Sequence, residues 1–255
     1  MIVPKLRSPI VLVHGLLGYD RLSVFGFTVA TYFPGIAENL REAGNRVLVP
    51  CLSPTDGVAK RAAQLKEFLE REAPGEPVHL IAHSMGGLDS RYLISRLGMA
   101  PNVLSLTTIG TPHRGTVFAD WLLQRFGEIS KPIFQYLAIP FQAFYDLSTS
   151  ACRIFNQETP DAPNVRYFSV AGRHENRWHA PEWQFSYPIV ERAEGPNDGV
   201  VSLQSAQFGE SFDVWPGDHM SLVNWLNPLA LRRGICQERK PQYAGLVRRL
   251  ADEGF

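Results

Sequence analysis

The sequence predicts an α/β fold with a mostly parallel central sheet, helices on both faces and one helical insertion. Three observations carry that expectation. Short apolar runs alternate with amphipathic stretches, the pattern of helices packed on both sides of a sheet. The length of 255 residues and the 45% apolar composition suit a single domain of this class. One stretch, 116–150, breaks the alternation with an excess of apolar residues.

Strands are expected at 10–14, 46–49, 78–82, 103–109, 165–171 and 211–215, each a short run rich in Val, Ile, Leu or Phe. Between the second and third, Val58, Ala62, Leu65, Phe68 and Leu69 recur at helical spacing, with Lys60, Arg61, Lys66, Glu67 and Glu70 on the opposite face. Gly44-Asn45 closes the helix before it and Pro74-Gly75 closes this one. A further helical pattern, 88–97, follows the third strand. The segment 116–150 holds eight aromatics (Phe118, Trp121, Phe126, Phe134, Tyr136, Phe141, Phe144 and Tyr145) but only five charged residues. It reads either as core-packed helices or as a cap whose apolar underside meets a substrate. The cap is preferred, because so long and greasy an insertion otherwise has little to pack against. The expected division is therefore 1–115 and 158–255 as core and 116–157 as helical cap.

Charge and cysteine usage exclude several classes. Lys+Arg and Asp+Glu balance at 25 each, which leaves no basic field for nucleic acid and no acidic tail. The longest mostly apolar uncharged run, 132–145, is broken by Pro140 and is shorter than the ~20 residues a membrane span needs. Cys51, Cys152 and Cys236 are widely separated and form no CxxC pair, so neither a zinc site nor a disulfide framework is signalled, although one bridge stays open. The first ten residues lack the order of a signal peptide and run directly into a strand. The expectation is a cytoplasmic protein, or a secreted one whose leader has been removed.

The strongest local signal is Val78-His-Leu-Ile-Ala-His-Ser84-Met-Gly-Gly87, a buried strand, a turn of the form small-x-Ser-x-Gly-Gly, and a helix. A serine hydroxyl is a poor nucleophile and must project from a sharp turn beside a base, and small residues on either side let strand and helix approach that closely. The backbone N–H of Met85 is then one donor for an oxyanion. The second is expected from Pro9-Ile-Val-Leu-Val-His14-Gly15-Leu16-Leu17-Gly18, where the glycines free the chain to aim the Leu16 N–H. A base should follow downstream. His219, in Gly-Asp-His after the last strand, leads over His174 and His179 in the Trp- and Arg-containing loop 172–187. For the acid, Asp198 in Asn-Asp-Gly leads over Asp213, inside a strand pattern, and over Asp218, which adjoins the histidine.

These residues resemble the bacterial lipases of the Pseudomonas and Burkholderia type within the α/β-hydrolase superfamily, with an Ala-His-Ser-Met-Gly turn similar to that of the small Bacillus lipases. Val13-His-Gly-Leu-Leu-Gly18 resembles the oxyanion loop, Ser84-Met-Gly-Gly-Leu-Asp-Ser-Arg-Tyr92 the helix after the serine, Thr107-Thr-Ile-Gly-Thr-Pro-His-Arg-Gly115 a signature after the next strand, and Asn197-Asp-Gly-Val-Val-Ser202 the acid loop. The likeness spans roughly 8–120 and 195–255 and leaves the insertion as the divergent part. It implies an α/β-hydrolase fold, with Ser84 as nucleophile, Asp198 as acid, His219 as base, and Leu16 and Met85 as oxyanion donors. It gives His113 and Arg114 a packing role. Two departures stand out: larger relatives of this type hold calcium with an aspartate two residues after the histidine, here Ser221, and bridge a cysteine six residues after the acid, here Gln204. Both point away from calcium and from that disulfide. His174-Glu175 and His179 lack the spacing of a zinc-binding helix.

The expected activity is that of a serine carboxylic-ester hydrolase, an esterase or lipase, working through an acyl-enzyme on Ser84 and needing no cofactor and no metal. Under the cap reading, Leu17, Phe118, Trp121, Phe134, Phe141 and Phe144 line a pocket for a small lipophilic ester, free or at a lipid interface. Thioesterase, amidase or acyltransferase chemistry on the same triad stays open. So does, with less support, a non-catalytic lipid- or membrane-binding module. Nothing in the sequence assigns an oligomeric state.

Overall fold

Every strand expected from the sequence joins one parallel sheet in a computed structural model of the chain, which describes residues 3–16, 21–24, 27–126, 141–175, 180–234 and 236–255. The strands are β1 (Ile10–Val13), β2 (Arg21–Val24), β3 (Phe27–Thr31), β4 (Val47–Leu48), β5 (Val78–His83), β6 (Val103–Ile109), β7 (Arg166–Arg173) and β8 (Ser211–Pro216). The sheet order is β4-β1-β5-β6-β7-β8 and each neighbouring pair is parallel. β2 and β3 form a separate antiparallel hairpin that the sequence reading missed.

Alternation along the strands sorts the core into two layers, as a sheet buried on both faces requires. Ile10 and Leu12 of β1 face one way and pack with Ile36 and Leu40 of helix α1 (Ile36–Glu42) and with Tyr243, Val247 and Leu250 of the last helix, Lys240–Asp252. Val11 and Val13 face the other way, against Ala62, Leu65 and Leu69 of α2 (Val58–Glu72) and Leu93 and Ile94 of α3 (Met85–Arg96).

One residue departs from the helical pattern read from sequence. Arg61, expected on the polar face of α2, is fully buried. Its Nε donates to Asp89 Oδ2 of α3 at 2.8 Å, and its other nitrogens reach the carbonyls of His14 and Ser53. A charge can sit there because the carboxylate and two carbonyls satisfy it. Burial pushes the Asp89 carboxyl up to about 7 even with the guanidinium beside it.

Within the insertion the described helices are α4 (Val117–Phe126), α5 (Phe141–Asp146) and α6 (Thr149–Glu158). Ala119, Ala143, Leu147 and Cys152 pack on Val58, Met85 and Leu88, so part of the segment is core. Asp146 also caps α2: its Oδ2 accepts the Val58 N–H at 2.7 Å, which is why Gly57 can precede that helix without a capping side chain. Among the described residues no helix is long and apolar enough to cross a membrane. Cys51, Cys152 and Cys236 form no disulfide.

Candidate active site

Ser84 stands at the carboxyl end of β5 with φ 55° and ψ −131°, one of two described non-glycine residues with positive φ. Such a conformation costs roughly 1–3 kcal/mol and persists only where its surroundings enforce it. Here they do. The Ser84 N–H donates to Ile109 O at 2.9 Å, and the Ser84 carbonyl accepts from Thr111 Oγ1 at 2.8 Å. The turn closes because Gly86 lacks a side chain: a Cβ there would lie 2.8 Å from the His14 carbonyl oxygen. Gly15 is constrained in the same way, since its Cβ would lie 2.7 Å from that of Ser84.

The loops after β7 and β8 bring two more groups to the serine. His219 Nε2 lies 2.9 Å from Ser84 Oγ, and its Nδ1 lies 2.7 Å from Asp198 Oδ2. For Nε2 to accept the serine proton, Nδ1 carries the ring hydrogen and donates it to the carboxylate. The other Asp198 oxygen accepts the backbone N–H groups of Val201 at 2.8 Å and Val200 at 3.1 Å, so the acid is aimed by its own turn. The arrangement can draw the hydroxyl proton onto imidazole while stabilising the imidazolium that forms.

The competing acids and bases lie elsewhere. Asp213 pairs with Arg249 at 2.5 Å. Asp218 turns away from the ring to accept the N–H groups of Met220 and Ser221 and the indole of Trp183. The His174 ring packs on Tyr187, and His179 lies outside the described residues. His113, stacked on Phe208 with ring centroids 4.2 Å apart, and Arg114, bonded to carbonyls at the end of helix Leu203–Ala206, pack a turn.

A histidine with no assigned role in the sequence holds the backbone of His219. His83 is wholly buried, and burial, with His219 nearby, holds its pKa well below the usual range, so it is neutral. Its Nδ1 accepts the Tyr32 hydroxyl at 2.8 Å, which leaves Nε2–H to donate to the His219 carbonyl at 3.0 Å. His14 does similar work on the other side. Its Nε2 accepts the Leu52 N–H at 3.0 Å and its Nδ1–H donates to the Gly15 carbonyl at 2.9 Å. In a trans peptide the N–H opposes the C=O, so tying back the Gly15 carbonyl turns the Leu16 N–H the other way. Met85, the first residue of α3, offers its N–H where the helix dipole is positive.

Beside Ser84 and His219 opens a cavity of about 490 Å³ with mainly apolar walls, whose lining includes Leu16, Phe118, Phe144 and Leu147. Of the expected pocket residues, Phe118 and Phe144 are in the wall. Trp121 is not; it stacks behind Phe118 at 6.4 Å and meets Phe185 at 4.9 Å, because one turn of α4 carries it to the next layer. Leu17 and Phe134 lie outside the described residues, as does the side chain of Phe141. Tyr32, Trp183 and Trp225 also line the cavity, and none was singled out from sequence. Only Trp183, in the aromatic loop 172–187, carried any hint.

The model described as the alpha/beta hydrolase family matches residues 10–247. The chain is 31% identical over 271 residues to triacylglycerol lipase 2 of Saccharomyces cerevisiae, covering 88% of this chain and 82% of that one. It is 40% identical over 259 residues to a triacylglycerol lipase of Vibrio cholerae, covering 86% and 80%. Among solved structures, the mature form of a Bacillus licheniformis lipase superposes with a TM-score of 0.68 at 25% identity, covering 89% of this chain and 91% of the other.

Proposed function

Because the chain belongs to the alpha/beta hydrolase family and is a serine carboxylic-ester hydrolase, we propose that it cleaves esters of lipophilic acyl chains, with Ser84, His219 and Asp198 as its triad. The observation that carries this reading is the continuous chain from Ser84 Oγ through His219 to Asp198 beside an apolar cavity. His219 takes the serine proton as Oγ attacks the ester carbonyl, and the N–H groups of Leu16 and Met85 receive the oxyanion. His219 then protonates the leaving alcohol, and water repeats the sequence on the acyl-enzyme.

The cavity volume of about 490 Å³ suits an acyl chain of several carbons, and its aromatic and aliphatic walls exclude water around the reacting carbonyl. The reading of 116–157 as a cap draws support from Thr116, Phe118, Ala119, Phe144 and Leu147 in that wall. Phe118 and Phe144 turned into the cavity weigh against a purely membrane-anchoring role for the insertion. The curated relatives named triacylglycerol lipase favour an oxygen ester over a thioester or amide.

Covalent trapping tests the proposal. An alkyl phosphonate p-nitrophenyl ester should add its phosphonyl mass to the peptide bearing Ser84, and faster with an octyl than with an ethyl chain. Labelling of another residue, or none in active protein, overturns the triad; preference for ethyl overturns the lipophilic pocket.

A further inference from the structure

The residues around His219 do not fit the calcium ion that larger lipases of the resembled type hold there. Ser221 stands where an aspartate ligand would be. The neighbouring carbonyls are already engaged by a cation of the protein's own. The Arg239 side chain is fully buried, its Nε donating to the Ser221 carbonyl at 3.2 Å and its Nη2 to the Pro216 carbonyl.

These two carbonyls bracket the loop that carries the base. Pro216 ends β8, Ser221 begins the next short 3-10 turn, and His219 lies between. Two features keep the guanidinium in position. Gly217 leaves the space, since a Cβ there would come within 2.6 Å of Nη2. Asn224, the other described non-glycine residue with positive φ, accepts the Arg239 backbone N–H on its Oδ1 at 2.7 Å and ties its own amide to the Pro34 carbonyl at 2.8 Å. Asp218 beside the guanidinium favours its charge against the effect of burial.

We propose that Arg239 is a built-in cation that takes the place of a metal in this enzyme, clamping the carbonyls on both sides of His219 so that the imidazole stays in line between Asp198 and Ser84. Arg239 is thus a positioning residue. A planar fork with several donors can bridge two carbonyls at once, whereas an ammonium acts as a point charge. Losing the bridge lets the base drift, and displacements of about 1 Å cost up to roughly 100-fold in rate. Substrate binding in the apolar cavity is untouched, because Arg239 is no part of its wall.

The inference rests on His219 being the base, so the test carries that control. Initial rates on p-nitrophenyl butyrate are measured for wild type, His219→Ala, Arg239→Gln and Arg239→Lys, each checked for folding by its melting curve. His219→Ala should lose at least about 10³-fold; retained turnover there sinks the base assignment itself, whatever Arg239 does. Arg239→Gln should lose about 10- to 100-fold in kcat with KM within about twofold, Arg239→Lys should recover only part of the loss, and added calcium should restore neither. A folded Arg239→Gln or Arg239→Lys with a lower melting temperature but wild-type kcat makes the arginine a structural brace only and overturns the proposal. So does a loss confined to KM.

Discussion

The two sides of Ser84 are built on opposite principles. On one side stand His219 and Asp198, two polar side chains held by short directional bonds, each oxygen or nitrogen with a designated partner. On the other is the cavity wall, where Phe118, Phe144 and Leu147 contribute dispersion and exclude water without any one contact being decisive. The proton-transfer side concentrates its effect in a few atoms, so single changes there should cost orders of magnitude. The apolar side spreads its effect over many residues, so single changes should alter preference more than rate.

The largest expected effect is that of Ser84→Ala, which should lower ester turnover by roughly 10⁶-fold while leaving the melting temperature close to wild type. Asp198→Asn comes next, at about 10⁴-fold in kcat, since an amide favours the wrong histidine tautomer. Asp213→Asn, changing a carboxylate that pairs with Arg249, should leave kcat unchanged. If the two aspartates exchange these outcomes, the proton-transfer side has been drawn wrongly. Across the serine, Phe118→Ala should change kcat/KM by roughly tenfold, and mainly for longer acyl chains. A loss as deep as that of Asp198→Asn, equal for all chain lengths, would erase the contrast between the sides.

A smaller effect follows from the buried histidines. Burial holds His79 down to about 4, from an ordinary 6.5, and also holds His83 and His113 well below that ordinary value. Below pH 6.5 the unfolded chain takes up protons that the folded one refuses, so stability present above that pH is lost as pH falls toward 4. Melting temperatures should therefore drop between pH 7 and 5, and less steeply in His79→Gln. A flat profile contradicts the neutral assignment. Smallest of all is the effect of chelators: with Arg239 on the carbonyls of Pro216 and Ser221, EDTA should change neither rate nor melting temperature.

What could be read from the sequence follows the same division. The strand-turn-helix around Ser84 was legible because its geometry demands residue types locally: Gly86 must lack a Cβ against the His14 carbonyl. Asp198 and His219 were legible as turn residues at the right order along the chain. The wall was not. Tyr32, Trp183 and Trp225 come from three distant segments, and an aromatic side chain looks the same in sequence whether it faces core or cavity. Arg61 misled for a related reason, since helical periodicity places it among polar residues while its partner Asp89 lies 28 positions away on another helix. Arg239 gave no signal at all, because its ligands are backbone carbonyls, which carry no sequence identity.

A serine hydrolase with an apolar acyl pocket is revealed by initial rates on p-nitrophenyl esters of increasing chain length, measured in parallel for wild type and Ser84→Ala. Wild-type kcat/KM should rise from acetate through butyrate to medium-chain esters, with no turnover above background in Ser84→Ala at any length. A steady fall with chain length, or turnover that survives the loss of Ser84, would contradict it.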